Sequence, residues 1–276
     1  MQKIDSHQHF WIYNKVRDAW INDDMQNIQR NFLPQDLLPV LHENNIDGCI
    51  AVQADQSVEE TNFLLKLADE NDCIKGVVGW VDLRAKNIEE QLEDLSKYKK
   101  LKGVRHIVQA ETEDDFLLRN DFCNGISFLQ KFGFTYDILI YPGQLKSAIE
   151  FVKLFPEQLF VIDHLAKPNI KDKEIETWAK DIKQIAKFSN VYCKLSGMVT
   201  EADWKHWTTA DFKPYIDCVL ENFGTGRTMF GSDWPVCLVA ASYKQCCDIL
   251  EQNTQHLTSV ENEKLWGKNA IEFYNI

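Results

Sequence analysis

Eight short strand-like runs recur along this chain, with helical patterns between them, and no other feature limits its fold as much. The runs lie at about Lys3–His9, Gly48–Ala54, Lys75–Val81, Gly103–Val108, Thr135–Ile140, Leu159–His164, Val191–Leu195 and Thr228–Ser232. Intervening segments such as Val58–Asn71 and Ile88–Tyr98 repeat their apolar residues at helical spacing. Strands that alternate with helices are joined by crossovers and run parallel. Eight such units in roughly 250 residues have the size of a (β/α)8 barrel. The chain has 276 residues, so the expectation is one barrel domain over residues 1–276. A doubly wound sheet is the alternative. It usually carries a Gly-rich turn after its first strand, and here that strand runs into Gln8-His9-Phe10-Trp11.

Barrel active sites gather at the C-terminal ends of the strands. Polar residues accumulate at those ends in this sequence. His7 and His9 end strand one, Gln53 and Asp55 strand two, and Asp82 strand three. Arg105 and His106 end strand four, His164 strand six, Lys194 and Ser196 strand seven, and Asp233 strand eight. Residues two apart in a strand share a face, so His7 and His9 point the same way. Three imidazoles and one carboxylate around one point suit hydrolytic chemistry, with or without a metal. His42 and His256 fall on predicted helices and are expected to be solvated.

Neighbours alternate across a strand, so Arg105 and His106 cannot both face the barrel axis. Val104 and Val108 share parity with His106 and suit the helix-packing side. That leaves Arg105 as the site residue. Lys194 and Cys193 pose the same choice. Two long segments stand where loops of the catalytic face belong. Phe10 to Asn31 carries Trp11, Tyr13, Trp20 and Arg30, and Thr200–Thr209 carries Trp204, His206 and Trp207. Either can roof a pocket or simply pack on the barrel rim.

Composition excludes several classes. The formal net charge is -12, which argues against nucleic acid or an anionic membrane as a general partner. No apolar run reaches the roughly 18 residues of a membrane-spanning helix. The start of the chain lacks the basic-then-apolar pattern of a signal peptide. Eight cysteines form no CxxC pair and read as reduced, mostly buried thiols. A cytoplasmic enzyme with a small-molecule partner is the expectation; self-association is left open.

The stretches IDSHQHFW, GVRHIVQ, DHLAKP, KLSGM and FGSDWPV resemble the amidohydrolase superfamily, in its amidohydrolase-2 branch. The pattern is closest to the sugar lactonases that open L-fuconolactone, L-rhamnonolactone and related aldonolactones, with a pyrone-dicarboxylate lactonase as a further relative. The likeness runs from Ile4 to about Cys237. The HxH and the strand-eight Asp are shared across the superfamily; HQHFW, DHLAKP and GSDWPV are more particular to the branch. The resemblance implies that Asp233 activates water and shuttles its proton, and that His7, His9 and His164, with any metal, polarise the substrate carbonyl. It implies metal ligands among His7, His9, His164 and Asp233. Strand five, Thr135 to Ile140, has no Lys, Glu or His to complete the site of the two-metal relatives. At most one divalent ion is therefore expected, Zn2+ by preference because imidazoles suit it, and the branch also includes members that need none.

A lactone is a cyclic ester. Its hydrolysis needs a positioned water, a base, positive charge at the carbonyl oxygen and an acid for the leaving alkoxide. Asp233 can be base and then acid, with Arg105 or the histidines at the oxyanion. Trp11, Trp20 and Trp234 can stack on a sugar ring, while Gln53 or Lys194 bonds its hydroxyls. No Ser or Cys nucleophile elbow is evident, so direct attack by water is preferred. The alternative is a decarboxylase using one metal on the same residues.

Overall fold

The computed structural model describes residues 2–276. Eight strands form one parallel sheet in sequence order. They are β1 Ile4–Gln8, β2 Gly48–Val52, β3 Ile74–Gly79, β4 Leu101–His106, β5 Thr135–Ile138, β6 Phe160–Ile162, β7 Val191–Leu195 and β8 Thr228–Phe230. Six of the strands are shorter than the apolar runs, most of which continue into the loop that carries the polar residues; β7 matches its run, and β4 keeps its length but starts two residues earlier. Past the ends of β1 and β8 the chain still pairs: Gln8 bridges Trp234, the Asp233 N–H donates to the His7 carbonyl (2.8 Å) and the His9 N–H to the Trp234 carbonyl (2.7 Å). These bonds draw the first and last strands together into a (β/α)8 barrel.

Helices follow the strands in turn: α1 Pro34–Glu43, α2 Val58–Glu70, α3 Ile88–Leu95, α4 Asn120–Leu129, α5 Leu145–Leu154, α6 Glu176–Ile185, α7 Thr209–Phe223 and α8 Tyr243–Asn253. Helix α2 begins where the Ser57 hydroxyl accepts the Glu60 N–H, an N-cap that satisfies one of the free donors of the first turn. Helix α8 begins the same way at Ser242. Strand β2 is buried at every position, as expected for a parallel strand with helices on one side and a filled barrel on the other. Most buried side chains form one large cluster between helices and strands. A smaller cluster joins Ile4, Ile50, Val52, Val78, Val161 and Met229 to Phe273 and Tyr274 of a last helix, α9, Asn269–Tyr274.

Two expectations change in detail. Helix α3 ends at Leu95 rather than Tyr98, with turns following. His256 lies in the turns after α8, not on a helix, and both it and His42 are exposed.

Candidate active site

The polar centre is assembled from β1, β4, β6, β7 and the loop after β8. Strand β1 carries a register shift between Asp5 and Gln8. The Asp5 carboxylate accepts the His7 N–H (3.1 Å), the Ser232 N–H (2.9 Å), the Ser232 hydroxyl (2.5 Å) and the Tyr243 hydroxyl (2.9 Å). One buried carboxylate thus ties the HxH strand to the loop bearing Asp233. Burial raises Asp5 to about 6. Gly231 fits this junction because a Cβ there would come 2.7 Å from the Cβ of His7.

Four donor atoms converge above β1. His9 Nε2 lies 3.3 Å from Asp233 Oδ1, and the Nε2 atoms of His7 and His164 each lie 3.9 Å from it. The Nε2 atoms of His7 and His9 face each other at 3.2 Å. The far nitrogens are engaged elsewhere. His9 Nδ1 meets the Val52 carbonyl at 2.7 Å, His164 Nδ1 meets the Ser196 hydroxyl at 2.9 Å, and His7 Nδ1 lies 3.2 Å from Asp163. The contact to a carbonyl makes His9 Nδ1 a donor, so its Nε2 turns a lone pair inward. His164 is packed against Gly197, where a Cβ would come 2.4 Å from the ring and φ is +62°.

Electrostatics sets the charge states. Burial lowers His7 well below the ordinary histidine value and lowers His164 to about 4. Both imidazoles are therefore neutral near pH 7. Burial pushes Asp233 upward, but His164 and His9 outweigh it, and the carboxylate is held below its ordinary value. Neutral imidazoles beside an ionised carboxylate are the protonation states that a divalent metal requires. One ligand atom from each of His7, His164 and Asp233 lies within 4.8 Å of the others. The facing nitrogens of His7 and His9 also call for a cation or a proton between them. The donor set fits a single divalent ion.

Beneath this cluster lies a second one, of His7, Asp137 and Asp163. Strand β5, which carries no Lys, Glu or His, does contribute a carboxylate: Asp137 is fully buried and faces the barrel interior. The space is filled by Lys194. Its Nζ lies 2.5 Å from Asp137, 2.9 Å from Asp163 and 3.1 Å from His7 Nδ1. Tyr274 donates to Asp137 from below (2.9 Å). A second metal would have to displace this ammonium group.

Arg105 faces the axis and His106 faces outward, as strand parity predicts. Arg105 Nη1 lies 2.9 Å from Asp163 and 3.3 Å from His7 Nε2, and Nη2 donates to the Gln53 carbonyl. His106 stacks on Phe116 and bonds Glu111.

The centre opens into a cleft of about 490 Å³ that His9, His164, Asp233 and Arg105 line at its floor. Trp20 lines it, as does Met25 from the long loop after β1. Trp11, Gln53, Lys194 and Trp234 do not line it. Trp11 is buried edge-on behind Trp20 at 5.9 Å, and Trp234 packs on Phe32 at 5.1 Å. Gln53 is fully buried, its side-chain amide donating to the Arg105 carbonyl (3.2 Å). Lys194 belongs to the cluster below. Asp55 and Asp82 also stand outside the cleft. Sequence reading missed Lys167, Glu201, Gln109 and Tyr141, which line the cleft wall. Lys167 and Gln109 were within reach, since they belong to the DHLAKP and GVRHIVQ stretches; Glu201, on a single short turn of helix, and Tyr141, in a loop, carry no periodic signal.

The family model described as amidohydrolase (Amidohydro_2) matches residues 4–276. An L-fucono-1,5-lactonase from Burkholderia multivorans is 38% identical to this chain over 283 aligned residues, covering 99% of this chain and 95% of the relative. An L-fucono-1,5-lactonase from Burkholderia ambifaria is 32% identical, covering 99% and 96%. A crystal structure of an amidohydrolase from Burkholderia multivorans with bound zinc superposes with a TM-score of 0.96 at 37% identity, covering all of both chains.

Proposed function

The chain belongs to the amidohydrolase family, and from that premise we propose that it is a lactonase that opens a sugar lactone of the L-fucono-1,5-lactone type, with Asp233 as the base. One observation carries this reading: the Asp233 carboxylate and the imidazoles of His9 and His164, backed by buried His7, meet at the floor of a cleft large enough for a single sugar ring. The two lactonase relatives, similar over nearly their whole length, support the substrate class.

The residues divide the work. Asp233 accepts a proton from water as the water oxygen bonds to the lactone carbonyl carbon. The carbonyl oxygen becomes an oxyanion, and the Arg105 guanidinium offers donors and positive charge toward it. Collapse breaks the bond between that carbon and the ring oxygen. Protonated Asp233 returns the proton to the departing oxygen, leaving the hydroxy acid. General acid–base help of this kind contributes typically ~10²–10⁴ in rate. His7, His9, His164 and Asp233 would hold a divalent ion, with Zn2+ preferred by the imidazoles. When bound, such an ion supplies Lewis acidity and lowers the pKa of water. Trp20 offers an aromatic face to the apolar side of the ring.

The test is a pH-indicator assay on a panel of aldonolactones, with and without a chelator. Acid release from L-fucono-1,5-lactone or a close analogue is expected. Turnover of none of the panel, with or without added Zn2+, would contradict the proposal. Chelator that abolishes turnover, restored by Zn2+, supports the ion's part; turnover that survives metal removal assigns the oxyanion to Arg105.

A further inference from the structure

The cleft wall opposite the floor carries an ion pair. Lys167 Nζ donates to Glu201 Oε1 at 3.1 Å, and the two side chains are only 16% and 20% exposed. The Lys167 ammonium also lies 5.7 Å from the Tyr141 ring centroid. Beside the pair, Gln109 presents a buried side-chain oxygen with no hydrogen-bond partner among the described residues.

The backbone fixes this pair in place. His164, Leu165, Ala166 and Lys167 all adopt left-handed backbone, with φ of 53°, 54°, 56° and 51°. Left-handed helical backbone costs roughly 1–2 kcal/mol per non-glycine residue, so the surroundings must over-determine it. They do: Leu165 and Ala166 are fully buried, Trp178 donates to the Leu165 carbonyl at 2.7 Å, and the Lys167 N–H closes on the His164 carbonyl at 2.7 Å. One rigid turn therefore carries both an imidazole of the floor and the cation of the wall. Glu201 sits on a short helix after β7, Val199–Glu201, and its carbonyl accepts the Lys171 N–H at 3.0 Å. The two loops are tied by backbone as well as by charge.

We propose that Lys167 and Glu201 set the charge of the substrate accepted: the pair selects neutral, polyhydroxylated lactones and rejects lactones bearing a free carboxylate. This rests on the lactonase reading and deepens it. A lone lysine on the wall would attract a carboxylated lactone. Here Glu201 cancels that charge and lines the same cleft. A sugar hydroxyl both donates and accepts. It can accept from Lys167 while donating to Glu201 or to the unpartnered oxygen of Gln109. A carboxylate only accepts, so it satisfies Lys167 alone and faces Glu201 as a like charge. Selection then comes from the repulsive element as much as from the attractive one.

The test compares kcat/KM for a neutral aldonolactone and for the aldarolactone with a carboxylate in place of its terminal CH2OH. Wild type, Glu201→Gln and Lys167→Met are measured, and calorimetric binding of both compounds gives the same ratio without turnover. Wild type is expected to favour the neutral compound by about tenfold or more. Glu201→Gln, which keeps shape and removes the negative charge, is expected to shrink that preference about tenfold. Lys167→Met is expected to raise KM for the neutral compound with kcat changed less. A neutral-to-carboxylated ratio that stays within twofold of wild type in Glu201→Gln, by turnover and by binding, would overturn the inference. Wild type that turns over neither compound contradicts the lactonase reading instead, and the binding ratio still decides the role of the pair.

Discussion

The polar centre of this barrel has an upper and a lower half, a few ångströms apart and built on opposite terms. In the upper half, His9, His164 and Asp233 reach the cleft, and three ring nitrogens surround one carboxylate oxygen with lone pairs to spare. In the lower half, Lys194 pairs with both Asp137 and Asp163 and Tyr274 donates to Asp137, all of them buried. His7 belongs to both, with Nε2 above and Nδ1 below. Within the lower half the two carboxylates differ from each other. Burial raises Asp137 to about 6 despite Lys194. Burial also works to raise Asp163, but Lys194, His7 and Arg105 outweigh it and hold Asp163 well below the usual carboxylate range. Spare valence at the mouth is what the proposed reaction would draw on; the ion cluster below holds the His7 ring through Nδ1.

The largest expected effect breaks the lower half. Lys194→Met removes the ammonium and leaves two buried carboxylates near each other. Losing one partner of a buried ion cluster typically costs about 3–5 kcal/mol. Denaturant unfolding should show a loss of that order. A midpoint equal to wild type would mean the lower half is not a coupled cluster.

A smaller effect probes the upper half from its roof. Trp20→Ala removes an aromatic face from the cleft while leaving the floor intact. Such a contact is worth about 0.5–1.5 kcal/mol, or roughly two- to twelvefold in binding. KM for the best lactone should rise by that factor with kcat little changed. A fall in kcat alone would place Trp20 in the chemistry rather than in binding.

The smallest effect sharpens the contrast between carboxylates. Glu60 is buried in the first turn of α2 and belongs to neither half; it accepts the Ala54 and Asp55 N–H groups, and burial raises it from 4.5 to about 7. Between those values the folded chain holds a proton that the unfolded chain has released. Its contribution to stability is therefore full below about pH 4.5 and is lost as pH rises through 7. Melting curves from pH 5 to 8 should show wild type losing ground to Glu60→Gln as pH rises. Parallel curves for the two proteins would refute this assignment.

The barrel and the upper half were legible in the sequence because both rest on local signals. Alternating apolar runs disclose strands, and their polar ends disclose His7, His9, His164 and Asp233. Parity within one strand was enough to turn Arg105 inward and His106 outward. The lower half was not legible. Asp137 lies inside a strand-like run, and only tertiary packing shows that it meets Lys194 from β7 and Tyr274 from the far end of the chain. The aromatic assignments blurred for a related reason. Trp11 and Trp234 sit beside site residues in sequence, yet their rings pack into the core. Trp20 reaches the cleft because the loop after β1 folds back over it. The wall pair of Lys167 and Glu201 depends on a left-handed turn that no periodicity announces.

The most direct measurement of the account is kcat for Asp233→Asn on L-fucono-1,5-lactone or the best lactone found, with melting temperature and ligand binding recorded on the same protein. Asn keeps the shape and hydrogen bonding of the side chain and removes the proton acceptor. The account predicts a fall of at least roughly 10²-fold in kcat, with fold and binding largely kept. A variant that retains more than about a tenth of wild-type kcat would contradict Asp233 as the base.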